Sequence, residues 1–224
     1  MARQTWSERC PVCGCRDAGV PLSPSVQTFP IAGPLLITPK VFGDARGFFF
    51  ESWNERHWQL LLADHGQEPV ALVQDNHSRS SRGVLRGLHY QLPPKPQGKL
   101  VRCVLGEIFD VAVDLRRSSP SFGQWVGARL SAENHQQLWV PTGFAHGFLT
   151  MSEHAEVLYK TTDFWSQACE RAVRWDDPAL AIHWPEEGLP AEQPGGPAGQ
   201  PMLAAKDAQA PSFAKAVAAG DVFP

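Results

Sequence analysis

The stretch Gln74-Asp-Asn-His-Ser-Arg-Ser-Ser-Arg-Gly-Val-Leu-Arg-Gly-Leu-His-Tyr-Gln91, followed by Gly98-Lys99, concentrates polar side chains inside an otherwise apolar part of the chain. Within it, Val84 to Tyr90 alternates like a strand, with Arg86 on one face beside Leu88 and Tyr90, and His89 on the other beside Leu85 and Gly87. A guanidinium directed into a closed barrel is costly unless an anion meets it, so Arg86 marks either an anion-binding wall or a structural ion pair. A second group, Leu138-Trp-Val-Pro-Thr-Gly-Phe-Ala-His-Gly-Phe148, sets a Pro-Gly turn just before His146, which re-enters a strand. A third, Cys10-x-x-Cys13-x-Cys15, has the spacing of half a zinc knuckle. Structural zinc takes four ligands and no second pair follows, so the alternative is an N-terminal extension without a metal.

The elements that must position these groups are strands. Lys99–Leu105 and Ile108–Leu115 read as two strands joined by a tight turn at Gly106-Glu107. Trp125–Leu130, Gln137–Val140, Gly147–Met151, Val157–Thr161 and Arg171–Trp175 continue the alternation, separated by Gly, Pro, Asn and Ser. Many short strands at even spacing predict a mainly β fold, a sandwich or barrel with a few short helices. One helix interrupts the series: Ser52 as N-cap with Glu55 forms a capping box, Leu60, Leu61 and Leu62 give an apolar face, and Gly66 ends it. Cys103 falls on a strand as a small core residue, and Cys169 falls in a polar turn.

Composition bounds the setting. The 224 residues carry 20 Lys+Arg against 23 Asp+Glu, a net charge of -3 that argues against nucleic-acid binding. At 43% hydrophobic residues the chain can bury a core and is not a disordered protein. No apolar run approaches the roughly 20 residues that span a bilayer, and no signal peptide opens the sequence, so the expected setting is cytoplasmic. Seven of the eight Trp lie between Trp53 and Trp184, which places the core there. Proline crowds both ends, and Pro185 to Pro201 has the composition of a long surface loop. The expected organisation is an extension over 1–25, then a single domain over 26–224 with a Pro/Gly-rich insertion at about 185–202.

The Pro-x-Gly-x-x-His146 spacing resembles the second motif of cupin barrels. Where metal-binding cupins carry His-x-His and a Glu, this chain reads His89-Tyr90-Gln91, so a three-histidine metal site cannot be assembled. The resemblance then narrows. Phe42-Gly-Asp-Ala-Arg-Gly-Phe-Phe-Phe-Glu51, Gln74-Asp-Asn76, Gly83-Val-Leu-Arg-Gly-Leu-His-Tyr-Gln91, Gln97-Gly-Lys99, Asp110-Val-Ala-Val-Asp-Leu-Arg116, Ser119-Pro-Ser-Phe-Gly123, Pro141-Thr-Gly-Phe-Ala-His-Gly-Phe148, Leu158-Tyr-Lys160 and Trp175-Asp-Asp-Pro178 occur in the order found in the dTDP-4-dehydrorhamnose 3,5-epimerase family. The likeness runs from about Phe29 to Pro185 and resumes at Leu203-Ala-Ala-Lys-Asp207.

This resemblance implies a cupin-like jelly roll that inverts C3 and C5 of dTDP-4-dehydro-6-deoxy-D-glucose by proton transfer, with no cofactor. A ketone at C4 acidifies both neighbouring carbons, and epimerisation needs a base, an enolate stabiliser and an acid on the opposite face. The resemblance assigns His89 as base, Asp207 as its orienting carboxylate, Lys99 as the cation at the enolate and Tyr159 as acid. It assigns Arg86 to the pyrophosphate and Phe42, Arg46, Glu51, Gln74 and Asn76 to the nucleotide, with His146, Trp165 and Lys206 also at the substrate. In the family the Phe42–Glu51 segment reaches the neighbouring subunit, which implies a homodimer with shared sites. Three departures stand out: Phe164 and Trp165 replace two tyrosines, Ala204 replaces a common serine, and the long insertion leaves Asp207 on a less constrained segment. The alternatives are an epimerase acting at only one carbon, a noncatalytic barrel that binds a nucleotide sugar, and a metal-dependent cupin.

Overall fold

Alternating strands fold into two facing antiparallel sheets in the computed structural model of the protein, which describes residues 24–190 and 199–224. The chain enters through β1 (Ser25–Thr28) and β2 (Leu35–Thr38), makes a small hairpin of β3 (Phe42–Asp44) and β4 (Gly47–Phe49), and forms helix α1 (Glu55–Asp64). There follow β5 (Gln74–Ser81), β6 (Leu85–Gln91), β7 (Lys99–Leu105), β8 (Glu107–Asp114) and β9 (Trp125–Ser131). Next come β10 (Gln137–Val140), β11 (Phe144–Thr150), β12 (His154–Thr161) and β13 (Glu170–Ala172), then the short helices α2 (Ala205–Ala208) and α3 (Phe213–Ala219). One sheet runs β1-β2-β10-β7-β12-β5 and the other β13-β6-β11-β8-β9. The expected mainly β, cupin-like sandwich is what forms. The Cys10, Cys13 and Cys15 cluster and the middle of the insertion lie outside the described residues.

The core lies between the sheets. Val101, Ile108, Ala112, Leu130, Leu138, Val140, Phe144, Phe148 and Val157 meet there, each buried, and a fully buried side chain of this size contributes about 1.5–3 kcal/mol. A second cluster of Leu88, Tyr90, Val111, Val113 and Leu115 backs the five-stranded sheet and is closed by Ala216 of α3 and Phe223. On β8 the parity is clean: Ile108 and Ala112 face the inter-sheet core, while Val111 and Val113 face the outer cluster.

Two local expectations are corrected. Lys99–Leu105 and the following strand are joined by a tight turn but do not pair, because β7 and β8 belong to opposite sheets. Gly106 makes the crossing at φ 71, where an added Cβ would lie 2.1 Å from the His154 carbonyl oxygen. Helix α1 is capped by Asn54, whose side chain accepts from the His57 amide at 3.2 Å, not by Ser52, whose carbonyl accepts from Gln137. Cys169 lies in a turn as expected and is buried there, with its carbonyl accepting from the Leu92 amide.

Arg86 and His89 do not face opposite ways. On β11, His146 pairs with His89 and Phe148 pairs with Arg86, so three steps on β6 match two on β11. This bulge resets the alternation and turns residues three apart toward one side. Gly87 sits inside it at φ 133, with an added Cβ only 2.6 Å from the Gly147 Cα, a closeness that two glycines permit.

Candidate active site

Between the sheets lies a cavity of about 610 Å³. Gln74, Asn76, Lys99 and Tyr159 line it from the six-stranded sheet, and Arg86, His89, His146 and Glu170 from the other. Lys206 and Asp207 close it from α2, and Trp165 from the segment after β12.

His89 Nε2–H donates to Asp207 Oδ1 at 2.6 Å. Asp207 is 2% exposed and also accepts from the Gly87 amide at 3.4 Å. Burial works against its charge, but the hydrogen bond and charge of His89 and the Gly87 amide outweigh that and hold the carboxyl below its ordinary range. An ionised Asp207 fixes the proton on Nε2 and leaves Nδ1 free to take another. The insertion does not loosen this carboxylate, contrary to expectation. Met202 donates its amide to the Gly83 carbonyl at 2.8 Å and accepts from the Leu85 amide at 3.0 Å, so the returning chain is stitched to β6 just before α2.

Lys99 is buried, donates to the His89 carbonyl at 3.2 Å, and has its pKa lowered to about 8 by desolvation, which the Asp110 charge partly offsets. Tyr159 is pushed up by burial, so its phenol keeps its proton at neutral pH and can donate. His146 Nε2 pairs with Asp110 Oδ1 at 2.7 Å, and burial pushes the imidazole toward its neutral form despite that carboxylate. Among the described residues, no group of three or more His, Cys, Asp or Glu is placed to hold a metal ion.

Arg86 resolves its two readings inside the protomer. Among the described residues no carboxylate pairs with it; its Nε donates to Ser80 Oγ at 3.0 Å and its Nη2 to the Arg79 carbonyl at 3.1 Å. The guanidinium is therefore oriented but not neutralised, which suits it to an anion. Gln74 Nε2 donates to Asn76 Oδ1 at 2.9 Å, and Gln74 Oε1 accepts the Trp165 amide at 3.0 Å, tying the exposed Trp165 to the β5 wall of the cavity. Lys206 forms an ion pair with Glu170 at 3.0 Å.

Phe42, Arg46 and Glu51 do not join the cavity. Phe42 and Arg46 belong to the exposed β3–β4 hairpin, where Arg46 pairs with Asp44, and Glu51 pairs with His57 at 2.6 Å. Sequence reasoning missed Glu170, Ser80, Gln91 and Asp110. Gln91, dismissed as a poor metal ligand, instead bonds the Lys95 and Phe164 carbonyls and the Ser166 amide, bracing the loop that carries Trp165. Asp110 alone had a legible signal, as a charge at an inward position of an apolar strand.

Fold and site together define a cupin-like barrel enzyme of acid–base type, with a carboxylate-backed imidazole sharing its cavity with a half-buried phenol and a buried ammonium. A family model described as dTDP-4-dehydrorhamnose 3,5-epimerase matches residues 28–215, and the chain belongs to that family. It is 57% identical over 190 residues to the dTDP-4-dehydrorhamnose 3,5-epimerase of Pseudomonas aeruginosa, covering 85% of this chain and 94% of that protein. The Salmonella typhimurium enzyme of the same name is 53% identical, over 82% of this chain and 92% of its own. Among solved structures, the dTDP-6-deoxy-D-glucose-3,5-epimerase of Legionella pneumophila, in complex with dTDP-4-keto-L-rhamnose, superposes with a TM-score of 0.78 at 43% identity, covering 89% of this chain and 97% of that one.

Proposed function

We propose that the chain converts dTDP-4-dehydro-6-deoxy-D-glucose to dTDP-4-dehydro-L-rhamnose by inverting C3 and C5, through proton transfer alone. His89 Nδ1 takes the proton from carbon, and the electron pair moves into a C4 enolate whose oxygen meets the Lys99 ammonium. Tyr159 delivers a proton to the opposite face of that carbon, and solvent restores the phenol and the neutral imidazole; the same sequence at the second carbon completes the reaction. Arg86 grips the pyrophosphate, while Gln74, Asn76 and Trp165 bound the nucleoside and Lys206 and His146 the sugar end. Phe42, Arg46 and Glu51 complete the site of a second copy of the chain in a homodimer. The cytoplasm is the proposed setting, and β1 at Ser25 already belongs to the catalytic domain. No helix among the described residues is long and apolar enough to cross a membrane.

The observation that carries this reading is the 2.6 Å pair of His89, on one sheet, with Asp207 of α2, sharing a cavity with Tyr159 and Lys99 from the other sheet. Base and acid thus approach a bound ring from two sides, as inversion requires. The test is solvent deuterium uptake by the dTDP-4-keto sugar in D2O. Label at both C3 and C5 supports the reading, label at one carbon reduces it to a monoepimerase, and no label overturns it.

A further inference from the structure

Asp110 is a charge in a place where the fold has no need of one. It sits on β8 between Ile108 and Ala112, both of the inter-sheet core, and is 0% exposed. Its Oδ1 accepts from His146 Nε2 at 2.7 Å, while its Oδ2 is buried with no hydrogen-bond partner among the described residues. A buried ion pair of this kind contributes little to stability compared with apolar side chains of the same volume, so stability is a weak reason for it. Its neighbours supply a better one. His146 and Lys99 both line the cavity, and Lys99 is a buried ammonium whose Nζ donates to a carbonyl and not to a carboxylate.

We propose that Asp110 is a positioning residue for the reaction: it fixes the tautomer of His146 and supplies the counter-charge that keeps Lys99 an ammonium where the C4 enolate forms. The inference rests on the epimerase reading given above. With Nε2–H committed to Asp110, His146 presents only the acceptor Nδ1 toward the cavity, so the charge facing the enolate is that of Lys99. The ionisable groups around Lys99 are Asp110 on β8, His89 on β6, His146 on β11, Tyr159 on β12, Glu170 on β13, and Lys206 and Asp207 on α2. Asp110 and Glu170 favour the ammonium, burial and Lys206 oppose it, and Asp110 is the stronger of the two supporting charges. Glu170 is ion-paired to Lys206.

The test is the pH profile of solvent deuterium uptake in Asp110→Asn and His146→Gln, beside the wild type. Neutralising Asp110 removes an attraction for the ammonium, so Lys99 loses its proton at lower pH. The alkaline limb of kcat in D110N should move down by about one pH unit, and kcat at pH 8 should fall about fivefold, with dTDP affinity held within about threefold. H146Q keeps the Asp110 charge, and its alkaline limb should stay where the wild type has it. A D110N protein that binds dTDP normally but keeps the wild-type limb overturns the inference. If D110N does not fold, H146Q decides: a limb that falls by a unit there means that His146, and not Asp110, sets the ammonium. Absence of uptake in the wild type would be a failure of the epimerase reading and is seen separately.

Discussion

The cavity and the β3–β4 hairpin carry residues that the family resemblance assigns to one site, yet they are built in opposite ways. Three of the four cavity groups proposed for proton transfer are held by two elements: His89 by β6 and Asp207, Asp207 by α2 and the Gly87 amide, Lys99 by β7 and the His89 carbonyl. The hairpin has three residues per strand, all exposed, and its largest side chains, Phe48 and Phe49, are 63% and 68% exposed. Its one aromatic brace is His135, whose ring lies 4.8 Å from Phe48 and 5.1 Å from Phe50. The difference teaches that the groups proposed for proton transfer are desolvated and mostly doubly supported, while the hairpin forms no part of the cavity in its own protomer.

The sharpest way to break that division is His89→Ala. Loss of a general base costs about a hundredfold to ten-thousandfold, and deuterium uptake at both carbons should fall by about a thousandfold while dTDP affinity, measured by calorimetry, changes by less than about threefold. Binding lost in parallel with exchange would place His89 in the binding wall and leave the cavity without an assigned base. Tyr159→Phe comes next. It removes only the donor hydroxyl, so net inversion should fall about a hundredfold while proton removal by His89 persists as slow exchange with retention. Equal losses of exchange and inversion would show that one group performs both transfers.

A smaller effect follows from Lys99. Its pKa of about 8 is depressed from the ordinary lysine range, so the ammonium is fully present below that pH and lost above it. Uptake in the wild type should therefore decline as pH rises through about 8, roughly tenfold per unit once the limb is established. A rate that stays flat to pH 10 would show that the charge at Lys99 is not required.

The sequence names His89 and Asp207 together through the family motif, but not the geometry that joins them. Strand alternation in 99–161 is plainest where a single face packs on the core, as Ala155 and Val157 mark it on β12, whereas β8 and β11 bury both faces. Which sheet a strand joins is a matter of long-range pairing, so the turn at Gly106 could not reveal that β7 and β8 part company. Period two also assigned Arg86 and His89 to opposite faces, because a bulge adds one residue without altering composition. Asp207 lies 118 positions from His89, and only the family motif, not any local pattern, joined them. Asn54 won the helix cap from Ser52 because it immediately precedes Glu55 and reaches the His57 amide, a contest that spacing alone does not decide.

The smallest expected effect tests the hairpin itself. Arg46 is bonded to Asp44 at the surface and contacts nothing in its own cavity, so Arg46→Ala should leave the melting temperature of the protomer unchanged. In a homodimer that lends Arg46 to the neighbouring site, the same variant should raise KM for the dTDP sugar about tenfold through loss of a charge-assisted contact. Mixing then separates the two geometries. An H89A chain keeps Arg46 and an R46A chain keeps His89, so a mixed dimer contains one complete site if each site draws on both chains. Random subunit exchange makes about half of all dimers mixed, and one of the two sites in each is intact, so activity at low substrate should recover to about a quarter of the wild-type value. If the mixture shows only the sum of its separate parents, His89 and Arg46 do not act across a subunit boundary, and the exposed hairpin has no part in the neighbour's chemistry.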